Sequence, residues 1–137
     1  MRLFFHTLLL MPSLVLSPVM AAEKTDAVVL KTEQAAKEIA SGIQLLDVRT
    51  PEEWNEGHIR GAKLVTYPAD DLAAKAAKAV DPQKPVLVYC RSGARSAKAA
   101  KLLRDAGFKD VREMAGGTLA WEKEGRPLVK PEATKAR

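Results

Sequence analysis

The chain has 137 residues with 22 Lys and Arg against 17 Asp and Glu, a net charge of +5, and aromatic residues make up only 5% of it. So mild and mixed a charge, with so few rings, argues against a dedicated nucleic-acid surface, which needs a concentrated cationic stripe or a stacking platform. The single cysteine and two histidines exclude an internal disulfide framework and show no zinc-ligand spacing, so no metal is expected.

The first residues, "MRLFFHTLLLMPSLVLSPVMAAEK", place one cation, Arg2, before an apolar run and then small residues ahead of the first acid, Glu23. That layout predicts a secretory signal peptide over residues 1–22, cleaved after Ala21 or Ala22. Pro12, Pro18 and the shortness of the run argue against a membrane anchor, since a spanning helix needs about 20 apolar residues. No later segment is apolar enough to cross a bilayer. The expectation is an exported, periplasmic protein with no membrane contact once the leader is removed. About 115 residues then remain, which suits one domain over 23–130 and a flexible tail over 131–137.

Along that domain, "VVLKTEQAAKEIASG" reads as a short apolar start and a helix from near Thr32 to near Gly42. "IQLLDVR" is a compact apolar run suited to a strand buried on both faces. In "TPEEW", Thr50 can cap a helix, Pro51 fits its first position and Glu53 sits where a capping box needs a carboxylate. A strand is predicted over Lys63 to Tyr67. "PADDLAAKAAKAVDP" follows as a helix with Leu72, Ala73, Ala76, Ala77 and Val80 along one side. "KPVLVYC" is another buried strand. From Ser96 a helix is predicted with Ala99, Leu102, Leu103 and Ala106 on its apolar face, closed by Gly107. "FKDVREM" gives a further strand and "GGTLAWEKEG" a last short helix. Alternation of this kind predicts an α/β fold: a mostly parallel central sheet of about five short strands with helices on both faces.

Ligands of such sheets collect where strands feed helices at the carboxyl edge. Cys90 lies at such a point, and "CRSGARS" follows the strand with two cations, a glycine and two serines. Free N–H groups at the helix start and in a curled loop favour an anion there. One arginine at about 5 Å and an effective dielectric of about 20 adds roughly 3 kcal/mol to that preference before desolvation. Arg91 and Arg95 are therefore expected to hold Cys90 as a thiolate near neutral pH without a histidine base. The competing reading is a buried structural thiol, which does not call for the run of cation, glycine and serine that follows.

"LLDVRTPEEWNEGHIRGA", "VYCRSGARSAKAA" and "AGGTLAWEKEGRPL" together resemble a single-domain rhodanese-type sulfurtransferase, in that family's order and over essentially the whole chain after the leader. Asp47, Arg49, Gly57, His58, Ile59, Gly61 and Ala62 match its first signature, and Gly116, Gly117, Trp121 and Gly125 its closing segment. The resemblance implies a rhodanese-like fold, Cys90 as catalytic nucleophile, and Arg91, Ser92, Gly93, Ala94, Arg95 and Ser96 as the substrate- and anion-binding loop. It implies sulfur transfer from a donor such as thiosulfate, through a Cys90 persulfide, to cyanide or a thiol, with a protein acceptor as a further partner and no cofactor. Two other readings stand beside it: a sulfur carrier loaded and unloaded by partner proteins, and a phosphatase or arsenate reductase. Against the last, phosphatases of related architecture use Cys-x5-Arg, whereas Cys90 and Arg95 are spaced Cys-x4-Arg. Asp47 and Arg49 are read either as pocket wall or, preferably, as an ion pair bracing the sheet. His58 is read as a structural hydrogen-bonding residue, Trp54 and Trp121 as packing anchors, and Lys98 and Lys101 as solvated.

Overall fold

The computed structural model describes residues 27–132; the predicted leader with its cleavage positions, and residues 133–137 of the predicted tail, lie outside them. The elements are β1 (Val28–Leu30), α1 (Thr32–Ala40), β2 (Gln44–Asp47), α2 (Pro51–Glu56), β3 (Lys63–Leu64), α3 (Leu72–Ala79), β4 (Val86–Tyr89), α4 (Ala94–Asp105), β5 (Val111–Met114) and α5 (Gly117–Lys123). Among the described residues the strands form one five-stranded sheet in the order β1-β5-β4-β2-β3, with every pairing parallel.

Successive side chains of a strand point to opposite faces, and this alternation sorts the core. From β4, Val86, Val88 and the following Cys90 pack with Leu72 and Ala76 of α3 and with Ala99, Ala100 and Leu103 of α4. Leu87 and Tyr89 point the other way, into a second cluster with Ala35, Ile59, Met114 and Trp121. Each fully buried aliphatic side chain of this kind contributes about 1.5–3 kcal/mol. The strands β2 and β4 lie side by side, Asp47 opposite Tyr89. The helix after β2 adds Trp54 to one cluster, while the helix after β4 builds the other. The chain leaving their carboxyl ends therefore passes to opposite faces of the sheet, the arrangement at which open α/β sheets bind ligands.

Several local expectations change. The strand predicted to run to Tyr67 stops at Leu64, although Val65 and Tyr67 still donate to the carbonyls of Asp47 and Val48; Pro68 has no N–H with which to extend the pairing. The helix in "PADDLAAKAAKAVDP" covers only Leu72–Ala79, and Ala77 is exposed. The fourth helix opens at Ala94 instead of Ser96, and its buried face is Ser96, Ala99, Ala100 and Leu103. Leu102, predicted to face inward, is 45% exposed, and Ala106 is exposed as well. Ala99 and Leu103 face inward as expected, while Ser96 and Ala100 take the inward places expected of Leu102 and Ala106.

The start of α2 forms as the sequence predicts. Thr50 Oγ1 accepts from the Glu53 N–H at 3.2 Å, and Glu53 Oε2 accepts from the Thr50 N–H at 2.9 Å.

Candidate active site

Cys90 follows β4 directly and is fully buried. The chain then turns through Arg91, Ser92 and Gly93 into α4. Gly93 precedes the helix with φ of +102°, in the left-handed region that only glycine adopts freely. This turn brings the Gly93 N–H to within 3.0 Å of Cys90 Sγ, to which it donates. The Ser96 hydroxyl, one turn into the helix, lies 3.5 Å from the same sulfur.

The outer side of the loop is held by α5. Thr118 N–H donates to the Cys90 carbonyl at 2.9 Å and Leu119 N–H to the Arg91 carbonyl at 3.1 Å. With those carbonyls drawn toward α5, the loop N–H groups are left to face the sulfur. The approach is so close that a Cβ on Gly117 would lie 2.3 Å from the Cys90 oxygen.

Burial pushes the Cys90 thiol up, but the Ser96 hydroxyl and the N–H groups of Ser96, Gly93 and Ser92 outweigh it, and the thiol sits below its ordinary value. This revises the expectation that the two arginines lead that effect. Arg95 turns away to Glu53, with Nη1 and Nη2 each 2.7 Å from a carboxylate oxygen. The Arg95 hydrogen bond holds the Glu53 carboxyl down at about 2. Arg91 is exposed and lines a recess of about 100 Å³ with Arg49, Glu53, Glu56, Thr118 and Glu122. Ser92 and Ala94 are exposed on the loop. Among the described residues no ion pair holds Arg91.

Asp47 and Arg49 meet as a buried ion pair, Nη2 to Oδ2 at 2.8 Å. Arg49 also donates to the Gly57 carbonyl at 2.7 Å and the Glu53 carbonyl at 3.3 Å, tying β2 to the end of α2. Its edge reaches the recess, so the pair braces the sheet and Arg49 alone of the two contributes wall. Tyr89, beneath Arg49, accepts the Ile59 N–H at 3.1 Å, and burial followed by the Asp47 charge pushes its hydroxyl far up. His58 stacks on Trp54 with ring centroids 3.5 Å apart, and its Nδ1 lies 3.2 Å from the Trp54 carbonyl. Trp121 Nε1 donates to the Pro127 carbonyl at 3.0 Å, anchoring α5. Among the described residues no group of three His, Cys, Asp or Glu could hold a metal ion, and no helix is long and apolar enough to cross a membrane.

Two carboxylates belong to the site that the sequence reading did not place there. Glu53 had been accounted for by its cap. Glu113, on β5, is 7% exposed, and its Oε1 accepts from the Ser96 hydroxyl at 3.2 Å. The available signal was the alternation of "VREM", which puts Glu113 on the same face as Val111.

The rhodanese-like domain profile matches residues 30–124. The chain is 36% identical over 114 residues to thiosulfate sulfurtransferase 18 of Arabidopsis thaliana, covering 75% of this chain and 84% of that protein. It is 36% identical over 90 residues to a sulfurtransferase of Allochromatium vinosum, covering 66% and 81%. Among solved structures, the polysulfide-sulfur transferase homodimer of Wolinella succinogenes superposes with a TM-score of 0.63 at 33% identity, covering 81% of this chain and 84% of that one. Motif order, parallel sheet and these likenesses agree: the chain belongs to the rhodanese-like domain family and stands among its sulfurtransferases.

Proposed function

We propose that the protein transfers sulfane sulfur through a persulfide on Cys90. The observation that carries this reading is the placement of Cys90 Sγ inside the loop, 3.0 Å from the Gly93 N–H and 3.5 Å from the Ser96 hydroxyl. With thiosulfate as donor, the thiolate attacks the outer sulfur. The bond from that sulfur to the sulfonate breaks, its electron pair leaves with sulfite, and a persulfide anion remains on Cys90. An acceptor, cyanide or a thiol, then attacks the outer sulfur, and the electron pair of the sulfur–sulfur bond returns to Cys90 as thiolate. The scheme is ping-pong through a covalent intermediate. The loop N–H groups stabilise the anion in both halves, and Arg91 attracts the anionic donor. The leader expected from the sequence is what supports reading the enzyme as exported and periplasmic.

A second reading, a sulfur carrier serving a protein donor or acceptor, is favoured by one observation. Arg95 is committed to Glu53, and the recess holds three carboxylates beside Arg91. That is a weak trap for a small dianion. Incubation with thiosulfate followed by intact mass tests for one added sulfur, and cyanide then tests for thiocyanate. Loading and turnover, both lost in Cys90→Ser, support the transferase. Loading without turnover supports the carrier. Hydrolysis of an aryl phosphate or reduction of arsenate, without loading, overturns sulfur transfer altogether.

A further inference from the structure

The Ser96 hydroxyl has one proton and three neighbours that can accept it: Cys90 Sγ at 3.5 Å, the Gly93 carbonyl at 3.1 Å and Glu113 Oε1 at 3.2 Å. Cys90 and Ser96 are both 0% exposed and Glu113 is 7% exposed. A proton that leaves the sulfur therefore passes first to a neighbouring group, and the hydrogen-bonded route from Cys90 through Ser96 ends on Glu113. A thiolate and a carboxylate at the two ends of so short a buried chain also repel, which disfavours their coexistence. We propose that Cys90 and Glu113 share one proton through Ser96, so that Glu113 is a positioning residue that receives the thiol proton when the nucleophile is activated.

The step balances within the site. The S–H bond breaks as Ser96 Oγ takes that proton, and the proton Ser96 already held passes to Glu113 Oε1. One proton and one negative charge are present before and after, with the charge moved from carboxylate to sulfur. No charge has to be created or removed in the dry interior.

The surroundings fit this exchange. Burial pushes the Glu113 carboxyl up, against the Ser96 hydroxyl and the attraction of Arg104. The Cys90 thiol lies below its ordinary value, so the two proton affinities approach each other. Of the charged groups around the chain, Arg104 of α4 acts on Glu113 through its charge, and Arg95 of α4, although paired with Glu53, still lies within charge range of Cys90. The strand neighbours of Glu113, Val29 on β1 and Val88 on β4, carry no charge.

The inference rests on Cys90 being the nucleophile, but its test needs no sulfur donor. On the reduced protein, the ultraviolet absorbance of the thiolate and the side-chain carbon resonance of Glu113 are followed against pH. Two groups coupled by more than about one pH unit titrate in two shared steps. Both probes are expected to show the same two midpoints. In Glu113→Gln the thiolate should form in one step, below the upper wild-type midpoint. In Cys90→Ala the Glu113 resonance should likewise titrate once, below that midpoint. In Ser96→Ala the coupling should weaken, because the hydrogen-bonded route is lost and only the repulsion of the two charges remains. Single unlinked steps in the wild type, or curves unmoved by either partner's replacement, would overturn the proposal. Full coupling surviving in Ser96→Ala would overturn the part assigned to the serine. Wild-type protein that shows coupled titration yet takes no sulfur from thiosulfate or a persulfide overturns the sulfur-transfer reading and leaves the shared proton standing.

Discussion

Arg95 of the loop and Glu53 of α2 are joined by a two-point ion pair, with both nitrogen–oxygen contacts at 2.7 Å. The pair links α2 and α4, the helices that follow β2 and β4. The second arginine of the loop thus works as a strut and gives up most of its pull on a substrate. Because Glu53 also caps α2, one side chain fixes the helix start and the loop together.

The strut has a definite pH signature. The Glu53 carboxyl falls from 4.5 in its ordinary state to about 2 in the fold. A depressed carboxyl stabilises the fold fully above its unfolded value, and that contribution is lost as pH falls from about 4.5 through about 2. The expected loss is about 2 kcal/mol after discounting for partial solvent screening. Urea unfolding between neutral pH and strong acid should show this loss in the wild type and much less of it in Glu53→Gln, which keeps the cap but loses the charge.

Arg91 and Arg95 should separate kinetically. Arg91→Ala removes the exposed cation of the recess and is expected to raise KM for thiosulfate about three- to tenfold, the scale of one partly screened charge. It should leave KM for an uncharged persulfide donor nearly unchanged. Arg95→Ala should act on both donors alike and lower the unfolding midpoint, because it removes the strut. Equal effects of Arg91→Ala on the two donors would remove its steering role.

The Cys90 thiol should react as a thiolate below the range of a free cysteine, about 8.5. The midpoint of alkylation rate against pH measures this. Ser96→Ala should move the midpoint upward, since the hydroxyl leads the groups that oppose the effect of burial. Arg95→Ala should move it less.

Gly117→Ala should be costly. Its Cβ would meet the Cys90 oxygen at 2.3 Å and the Arg91 oxygen at 2.4 Å, at a φ of +57°. The neighbours in question are backbone, so the loop and α5 must part. A loss of about 2–4 kcal/mol is expected in denaturant unfolding. Alkylation of Cys90 should become faster in the same variant as its cover loosens.

The parallel sheet of about five strands, the alternation of strands and helices and the position of Cys90 at a strand end follow from patterns of a few neighbouring residues, and these were legible in the sequence. The strand order was not, and neither was the site's polar wiring. Glu113 lies 17 residues from Ser96 and Glu53 lies 42 from Arg95, and no local rule connects such positions. Leu102 shows the same limit: its spacing in the helix is apolar, yet the sheet packs against the adjacent stripe. Ser96, read as a loop residue, begins that buried stripe. Which face a helix turns inward is decided by the sheet it meets, and propensity along the helix does not encode it.

Cys90 is 0% exposed, which gives the resting sulfur a kinetic shelter. Bulky disulfides and oxidants meet the loop before they meet the thiol, so inadvertent capture is limited by how often the loop opens rather than by how reactive the sulfur is. On the proposed persulfide route, a second sulfur would extend the side chain by one bond beyond the buried position of Cys90. The reach of the site on that route would come from the bound sulfur, and the unloaded thiol is the buried form.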